Sequence, residues 1–188
     1  MKYYLLVAII FTVSALLVSS SSSCSLSAST VSGPPADQPM ALAPAVENET
    51  SSDDVFDGQK IQRSEAEWRK LLTPAQFHIL REEGTDPPYK SQYNDNHERG
   101  DYHCAACHLK LFSSKTKFES GTGWPSFYQP VNKKNVVERV DRSLGETRTE
   151  IECARCGGHI GHVFDDGPKP TGLRYCMNGT ALKFEKTK

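Results

Sequence analysis

The apolar pattern divides the chain into three stretches. Tyr3 to Val18 is an uncharged run behind Met1 and Lys2, with Leu5, Leu6, Ile9, Ile10 and Phe11 in its body. A comfortable membrane span takes about 20 apolar residues. This shorter run reads as a secretory signal over residues 1–23. Residues 24–58 are Ser, Thr, Ala, Pro, Asp and Glu, with almost no large apolar side chain before Val55 and Phe56. Such a segment cannot bury enough surface to offset its ordering entropy, and a flexible tether is expected. Residues 59–188 carry the pattern of a folded domain.

That domain opens with two helix signals. Ser64-Glu65-Ala66-Glu67 is a capping box, and Trp68, Leu71 and Leu72 follow at helical spacing. Thr73-Pro74-Ala75-Gln76 repeats the device with proline at the first helical position, followed by Phe77 and Leu80, and Gly84 is the expected stop. Beyond Asp86-Pro87-Pro88, glycine, proline and asparagine recur between short apolar or alternating runs. These are Lys110 to Phe112, Val136 to Val140, Arg148 to Ile151, His162 to Phe164 and Ala181 to Phe184. The pattern predicts a small, mainly β, mostly antiparallel domain behind short N-terminal helices.

Charge narrows the choice of partners. With 22 Lys+Arg against 23 Asp+Glu the net charge is −1. A nucleic-acid binder or a polybasic membrane-surface protein needs clustered cations, so neither is expected. Cys24 ends a serine block, as in a bacterial lipoprotein signal, although Ser21 stands where such signals usually carry leucine. A lipid anchor at Cys24, simple cleavage in the serine block, or a retained anchor all fit. The protein is expected to be exported, whether periplasmic, membrane-anchored or secreted.

The remaining cysteines carry the chemistry. Cys104-Ala105-Ala106-Cys107 and Cys153-Ala154-Arg155-Cys156 are two C-x-x-C knuckles. Their four thiolates can converge on one zinc ion, and two disulfides are the competing reading. Four protein ligands close the coordination shell, so the zinc would be structural. His103 and His108 flank the first knuckle and are read as bystanders. Cys176 is left over, with Arg174 two residues before it and His159 and His162 upstream. A free thiol has a pKa of about 8.5 and needs a neighbouring cation to become a good nucleophile. Arg174 would share its strand face and could supply that charge. On spacing alone an inert buried cysteine is the default reading, because free cysteine is among the most buried residue types.

Taken in order, these segments closely resemble the B-type methionine sulfoxide reductases: Gly84-Thr85-Asp86-Pro87-Pro88, the first knuckle, Ser120-Gly121-Thr122-Gly123-Trp124-Pro125-Ser126-Phe127, the second knuckle, Gly161-His162-Val163-Phe164-Asp165-Asp166-Gly167-Pro168 and Arg174-Tyr175-Cys176-Met177-Asn178. The likeness runs from Trp68 to Phe184. It implies a β-tent of two antiparallel sheets and reduction of the R epimer of methionine sulfoxide, in oxidised proteins or peptides or as the free amino acid. It makes Cys176 the nucleophile and His162 the group that orients and protonates the sulfoxide oxygen. His159, Asp166 and Asn178 match positions of the surrounding polar network, and Trp124 matches the ring that packs on the substrate's S-methyl group. In plainer readings Trp124 is core and Asp165-Asp166-Gly167-Pro168 only a turn.

One position departs from the family pattern. Many members place a resolving cysteine where this chain has Thr122, and some place one where it has Glu119. A one-cysteine cycle is therefore expected, with a thioredoxin-like protein or a small thiol as reductant. A monomer is expected. The alternative is a non-catalytic zinc-bearing β-tent binding module, which would have no need of Cys176, His162 and Trp124 together.

Overall fold

The computed structural model describes residues 55–187. The signal over residues 1–23, the tether up to residue 54 and the anchor candidate Cys24 lie outside the described residues. Helix α1 (Glu65–Leu71) has Ser64 as its N-cap, with both halves of the capping box formed to Glu67. Helix α2 (Pro74–Glu82) has the same reciprocal box between Thr73 and Gln76. Each box satisfies backbone N–H groups that the first helical turn would otherwise leave without partners. The chain leaves α2 through Glu83, not Gly84, in the left-handed region, and the Gly84 N–H reaches back to the His78 carbonyl at 3.0 Å. Trp68, Phe77, Ile79 and Leu80 are buried, whereas Leu71 faces solvent.

Nine strands follow among the described residues: β1 (Gly100–Cys104), β2 (Lys110–Ser113), β3 (Lys117–Phe118), β4 (Ser126–Phe127), β5 (Val136–Asp141), β6 (Arg148–Cys153), β7 (His159–Phe164), β8 (Arg174–Met177) and β9 (Leu182–Lys186). They form a three-stranded sheet ordered β2-β1-β9 and a six-stranded sheet ordered β3-β4-β8-β7-β6-β5. Every pairing is antiparallel. The mainly β architecture of two antiparallel sheets behind two short helices is thus the one expected. Strands β1, β3 and β4 were not foreseen. The latter two hold two residues each, too few to display an alternation.

Aromatic rings join the sheets. Tyr102 and Phe112 come from the smaller sheet, Phe127 and Tyr175 from the larger. Phe112 stacks on Phe127 at 4.6 Å between centroids, and Tyr102 meets Phe127 edge-on at 5.0 Å. Full burial of each such ring contributes about 1.5–3 kcal/mol. The Tyr102 hydroxyl accepts from Asn96 at 3.0 Å, and burial pushes its pKa to about 12. Phe56, from the segment read as tether, packs against this core, and its N–H donates to Asn135 at 2.9 Å. Among the described residues no helix is long and apolar enough to cross a membrane.

Candidate active site and metal centre

Strand β8 lies between β4 and β7, and Cys176 sits in its middle. Cys176 is the Cα partner of His162 on one side and of Ser126 on the other. The burial of β8 alternates, with Tyr175 and Met177 inward and Arg174 and Cys176 on the more open face. Beside Cys176, the β7 backbone comes close enough to require glycine. A Cβ on Gly161 would stand 2.2 Å from the Cys176 carbonyl oxygen.

A cleft of about 140 Å³ opens over these strands, lined by Cys176, His162, Trp124, Phe164, Arg148 and Asn178 among others. The Trp124 ring is pinned, because its indole N–H donates to the Asp86 carbonyl at 2.8 Å. Asp86 in turn donates its N–H to the Asn178 side-chain oxygen at 2.9 Å and accepts at its carboxylate from the Thr180 N–H at 2.9 Å. Asn178 is buried and its amide nitrogen donates to the Ile160 carbonyl at 3.3 Å.

Burial pushes the Cys176 thiol above its ordinary pKa. The positive charge of Arg174 and the Thr122 hydroxyl, 3.9 Å from the sulfur, pull the other way. Arg174 is gripped by Asp166 through bonds of 2.8 and 2.9 Å, and its guanidinium lies 4.4 Å above the Phe164 ring. The Asp166 side chain is 62% exposed, and its bonds with Arg174 hold its carboxyl below the usual range. Asp166 therefore stands at the rim of the cleft as the partner of Arg174.

His162 has a different partner. Its Nε2 lies 2.9 Å from an Asp141 carboxylate oxygen, and Asp141 also receives Arg148 and the Ser143 N–H. Bonds from Ser143, and then from His162 and Arg148, hold the Asp141 carboxyl well below the usual carboxylate range. Burial lowers the His162 pKa, and the bond to Asp141 opposes that fall. His159 lies behind, fully enclosed, with Nδ1 2.6 Å from Glu150 and its ring edge-on to His162 at 5.4 Å. Burial lowers His159 and raises Glu150, favouring the neutral form of each.

Cys176, His162, Trp124 and Asn178 thus meet at one cleft, with Arg174 and Asp166 at its edge and His159 one layer behind. Asp141, Arg148 and Glu150 escaped the sequence reading. Asp141 faces Arg148 across the β5–β6 pair, and Glu150 faces His162 across the β6–β7 pair. Arg148 and Glu150 alternate on β6 as any strand charges would, and only strand register ties them to a histidine.

The two knuckles converge elsewhere. The Cys104 and Cys156 sulfurs are 3.7 Å apart, the Cys107 and Cys153 sulfurs 3.5 Å, and all four lie within 4.8 Å of one another. A tetrahedral ion about 2.3 Å from each thiolate needs sulfur separations of about 3.8 Å, so the donor set fits zinc. The knuckles share one backbone design. The His108 N–H bonds the Cys104 carbonyl at 2.9 Å and the Gly157 N–H bonds the Cys153 carbonyl at 2.8 Å. His108 and Gly157 both take the left-handed conformation, at φ 64° and 65°. His103 and His108 stack beside the quartet at 5.4 Å, near Glu185, and are not among its donors.

Known sequences resemble this chain over the same region. The SelR domain family matches residues 72–186. The peptide methionine sulfoxide reductase MsrB of Agrobacterium fabrum is 56% identical over 126 residues, covering 67% of this chain and 93% of that protein. The protein of the same name from Leptospira interrogans is 54% identical over 127 residues, covering 68% and 97% respectively. That from Methanosarcina barkeri is 53% identical over 125 residues, covering 66% and 88%.

Proposed function

The chain belongs to the SelR family, and from that premise we propose that it reduces the R epimer of methionine sulfoxide in peptides and proteins to methionine, with Cys176 as the nucleophile. It is an oxidoreductase of the kind its relatives' names describe, peptide methionine sulfoxide reductase. The observation that carries the residue assignment is the pairing of Cys176 with His162 across β7 and β8, beneath a fixed tryptophan.

The Cys176 thiolate attacks the sulfoxide sulfur. The oxygen takes up a proton and passes to the cysteine sulfur, leaving a thioether and a sulfenic acid. The substrate sulfur gains two electrons and the cysteine sulfur loses two. His162 orients and protonates the oxygen. Its Nε2 is committed to Asp141, so the proton can leave for substrate from Nδ1 only when the ring is an imidazolium, the form that the Asp141 carboxylate favours against burial. Trp124 offers its ring face to the S-methyl group, a contact favourable for sulfur and methyl. Arg174 offsets part of the cost of a thiolate in a buried position. Asn178 and His159 hold the cleft wall and the ring of His162.

Thr122 stands beside Cys176 where a resolving cysteine would stand. The cycle then needs two thiols from outside: one displaces the sulfenic oxygen as water and forms a mixed disulfide, and the other releases Cys176. A thioredoxin-like protein or a small thiol supplies them. Cys104, Cys107, Cys153 and Cys156 would hold a structural zinc, and four protein ligands would leave no open position for substrate. Residues 1–23 direct export, and Cys24 is lipidated, left near the new N-terminus by cleavage in the serine block, or kept behind a retained anchor.

The test is reduction of a methionine-R-sulfoxide peptide by the wild type and by Cys176→Ser, followed by trapping of the oxidised enzyme without reductant. Loss of turnover in the variant and a dimedone adduct on Cys176 are expected. Turnover that survives in Cys176→Ser would remove the assignment, and an intramolecular disulfide would remove the one-cysteine cycle.

A further inference from the structure

Three hydroxyls run in a line from the nucleophile into the protein. The Thr122 Oγ1 is 3.9 Å from the Cys176 sulfur, the Ser120 Oγ is 2.9 Å from Thr122, and the Ser126 Oγ is 2.8 Å from Ser120. The line ends where Ser126, fully buried, donates to the Trp124 carbonyl at 3.1 Å. Glycines on both sides of Thr122 in left-handed conformations set this turn, and the exposed Tyr89 hydroxyl donates to the Gly121 carbonyl at 2.6 Å.

A hydroxyl both donates and accepts, so such a string has two complete orderings. With Cys176 as a thiol, its S–H donates to Thr122, Thr122 to Ser120, Ser120 to Ser126, and Ser126 to the Trp124 carbonyl. With Cys176 ionised, every hydroxyl turns round: Ser126 donates to Ser120, Ser120 to Thr122, and Thr122 to the sulfur. Only the weak end bond to the Trp124 carbonyl is given up. No group is left without a partner at the sulfur end in either ordering.

We propose that the Ser126–Ser120–Thr122 string is a reversible positioning relay for the Cys176 sulfur, accepting from the thiol and donating to the thiolate and then to the sulfenic oxygen. The proposal rests on Cys176 being the nucleophile. It gives a positive role to the threonine that occupies the resolving position. In a cycle completed by an outside thiol, the Thr122 hydroxyl holds the sulfenic acid beside the cleft until that thiol arrives. The proton that Cys176 loses on ionising leaves to solvent through the open cleft, and the relay's own change is the reorientation of three O–H bonds.

The experiment uses the full zinc-loaded chain and follows Cys176 alkylation by iodoacetamide against pH, read by mass at the Cys176 peptide, in the wild type and in Thr122→Val, Thr122→Ser and Ser126→Ala. Losing a hydrogen bond to a charged sulfur should slow alkylation at neutral pH about tenfold in Thr122→Val, an upward shift of the profile by roughly one unit. Thr122→Ser should follow the wild type, and Ser126→Ala, which removes the end donor, should shift part of the way. Melting temperatures measured alongside separate this from a loss of fold. A Thr122→Val profile that coincides with the wild type, or equal shifts in Thr122→Val and Thr122→Ser, would overturn the relay. Single-turnover reduction in Cys176→Ser distinguishes the underlying reading: its loss together with an unmoved Thr122→Val profile sinks the relay alone, and its retention sinks both.

Discussion

Arg174 clasps Asp166 through two parallel hydrogen bonds of 2.8 and 2.9 Å, two residues along β8 from Cys176. The pair acts on the thiol with opposite signs: the Arg174 charge favours the thiolate and the Asp166 charge opposes it. A thiolate exists above its pKa, so whatever raises the pKa reduces reactivity at neutral pH. Arg174→Gln should therefore move the alkylation profile of Cys176 to higher pH and Asp166→Asn to lower pH. The wild type should ionise above the free-thiol value of about 8.5. Iodoacetamide rates across pH 6–11 check all three, and shifts of the same sign in the two variants would contradict this electrostatic account.

His162 should be neutral through the neutral range. Burial places its titration below the ordinary value of about 6.5, and protonation, which needs a more acidic solution, is assisted only by Asp141. Asp141→Asn removes that assistance and the fixed tautomer. Its NMR titration should move to still lower pH, and kcat should fall about 10²-fold with little change in KM. An unchanged His162 titration would show that Asp141 has no hold on the ring.

Metal removal should cost the fold. Structural zinc supplies apparent binding free energies of about 10–16 kcal/mol, against a domain stability of about 5–15 kcal/mol. A strong chelator should release one zinc per chain and abolish near-UV circular dichroism and activity together. Cys153→Ala should copy the stripped state. Activity that persists after quantified zinc loss would contradict a structural role.

Gly161→Ala should damage activity more than stability. The new methyl group would lie 2.2 Å from the Cys176 carbonyl and 3.0 Å from the Met177 Cα, so β7 and β8 must part at Cys176. Overpacking of this kind costs about 1–3 kcal/mol, which the domain can survive. Denaturant unfolding and turnover measured on one preparation give both quantities, and wild-type turnover would mean that the strands absorb the methyl group elsewhere.

Local devices were legible in the sequence, and long-range register was not. Both capping boxes formed as read because Ser64 with Glu67, and Thr73 with Gln76, interact within one turn. Each C-x-x-C knuckle was legible because its turn carries its own geometry, and the meeting of the two across 46 and 52 positions followed from the donor chemistry of four thiols. Cys176 and Arg174 shared a face because strand alternation has a fixed period. The partners of His162 were a different matter. They arrive through pairings 12 and 21 positions away in the chain, past a register shift between Ile151 and Glu152, and no local pattern in Asp141 or Glu150 announces them. Asn178 was read as polar network and bonds the Asp86 N–H, a contact across 92 positions that spacing cannot supply.

Asp86 gives these contacts a collective character. One residue in an irregular loop receives the Trp124 indole, engages Asn178 and fixes the Thr180 N–H. The roof of the cleft, its floor and the turn after β8 are thereby fastened at a single point. A shift of Asp86 disturbs all three contacts at once, because its carbonyl, its N–H and its carboxylate are each engaged. Movement of this loop should then be a cooperative event, in which the amides of residues 86 and 180 exchange with solvent at a common rate. A loop with no regular secondary structure would set how often the catalytic pocket breathes.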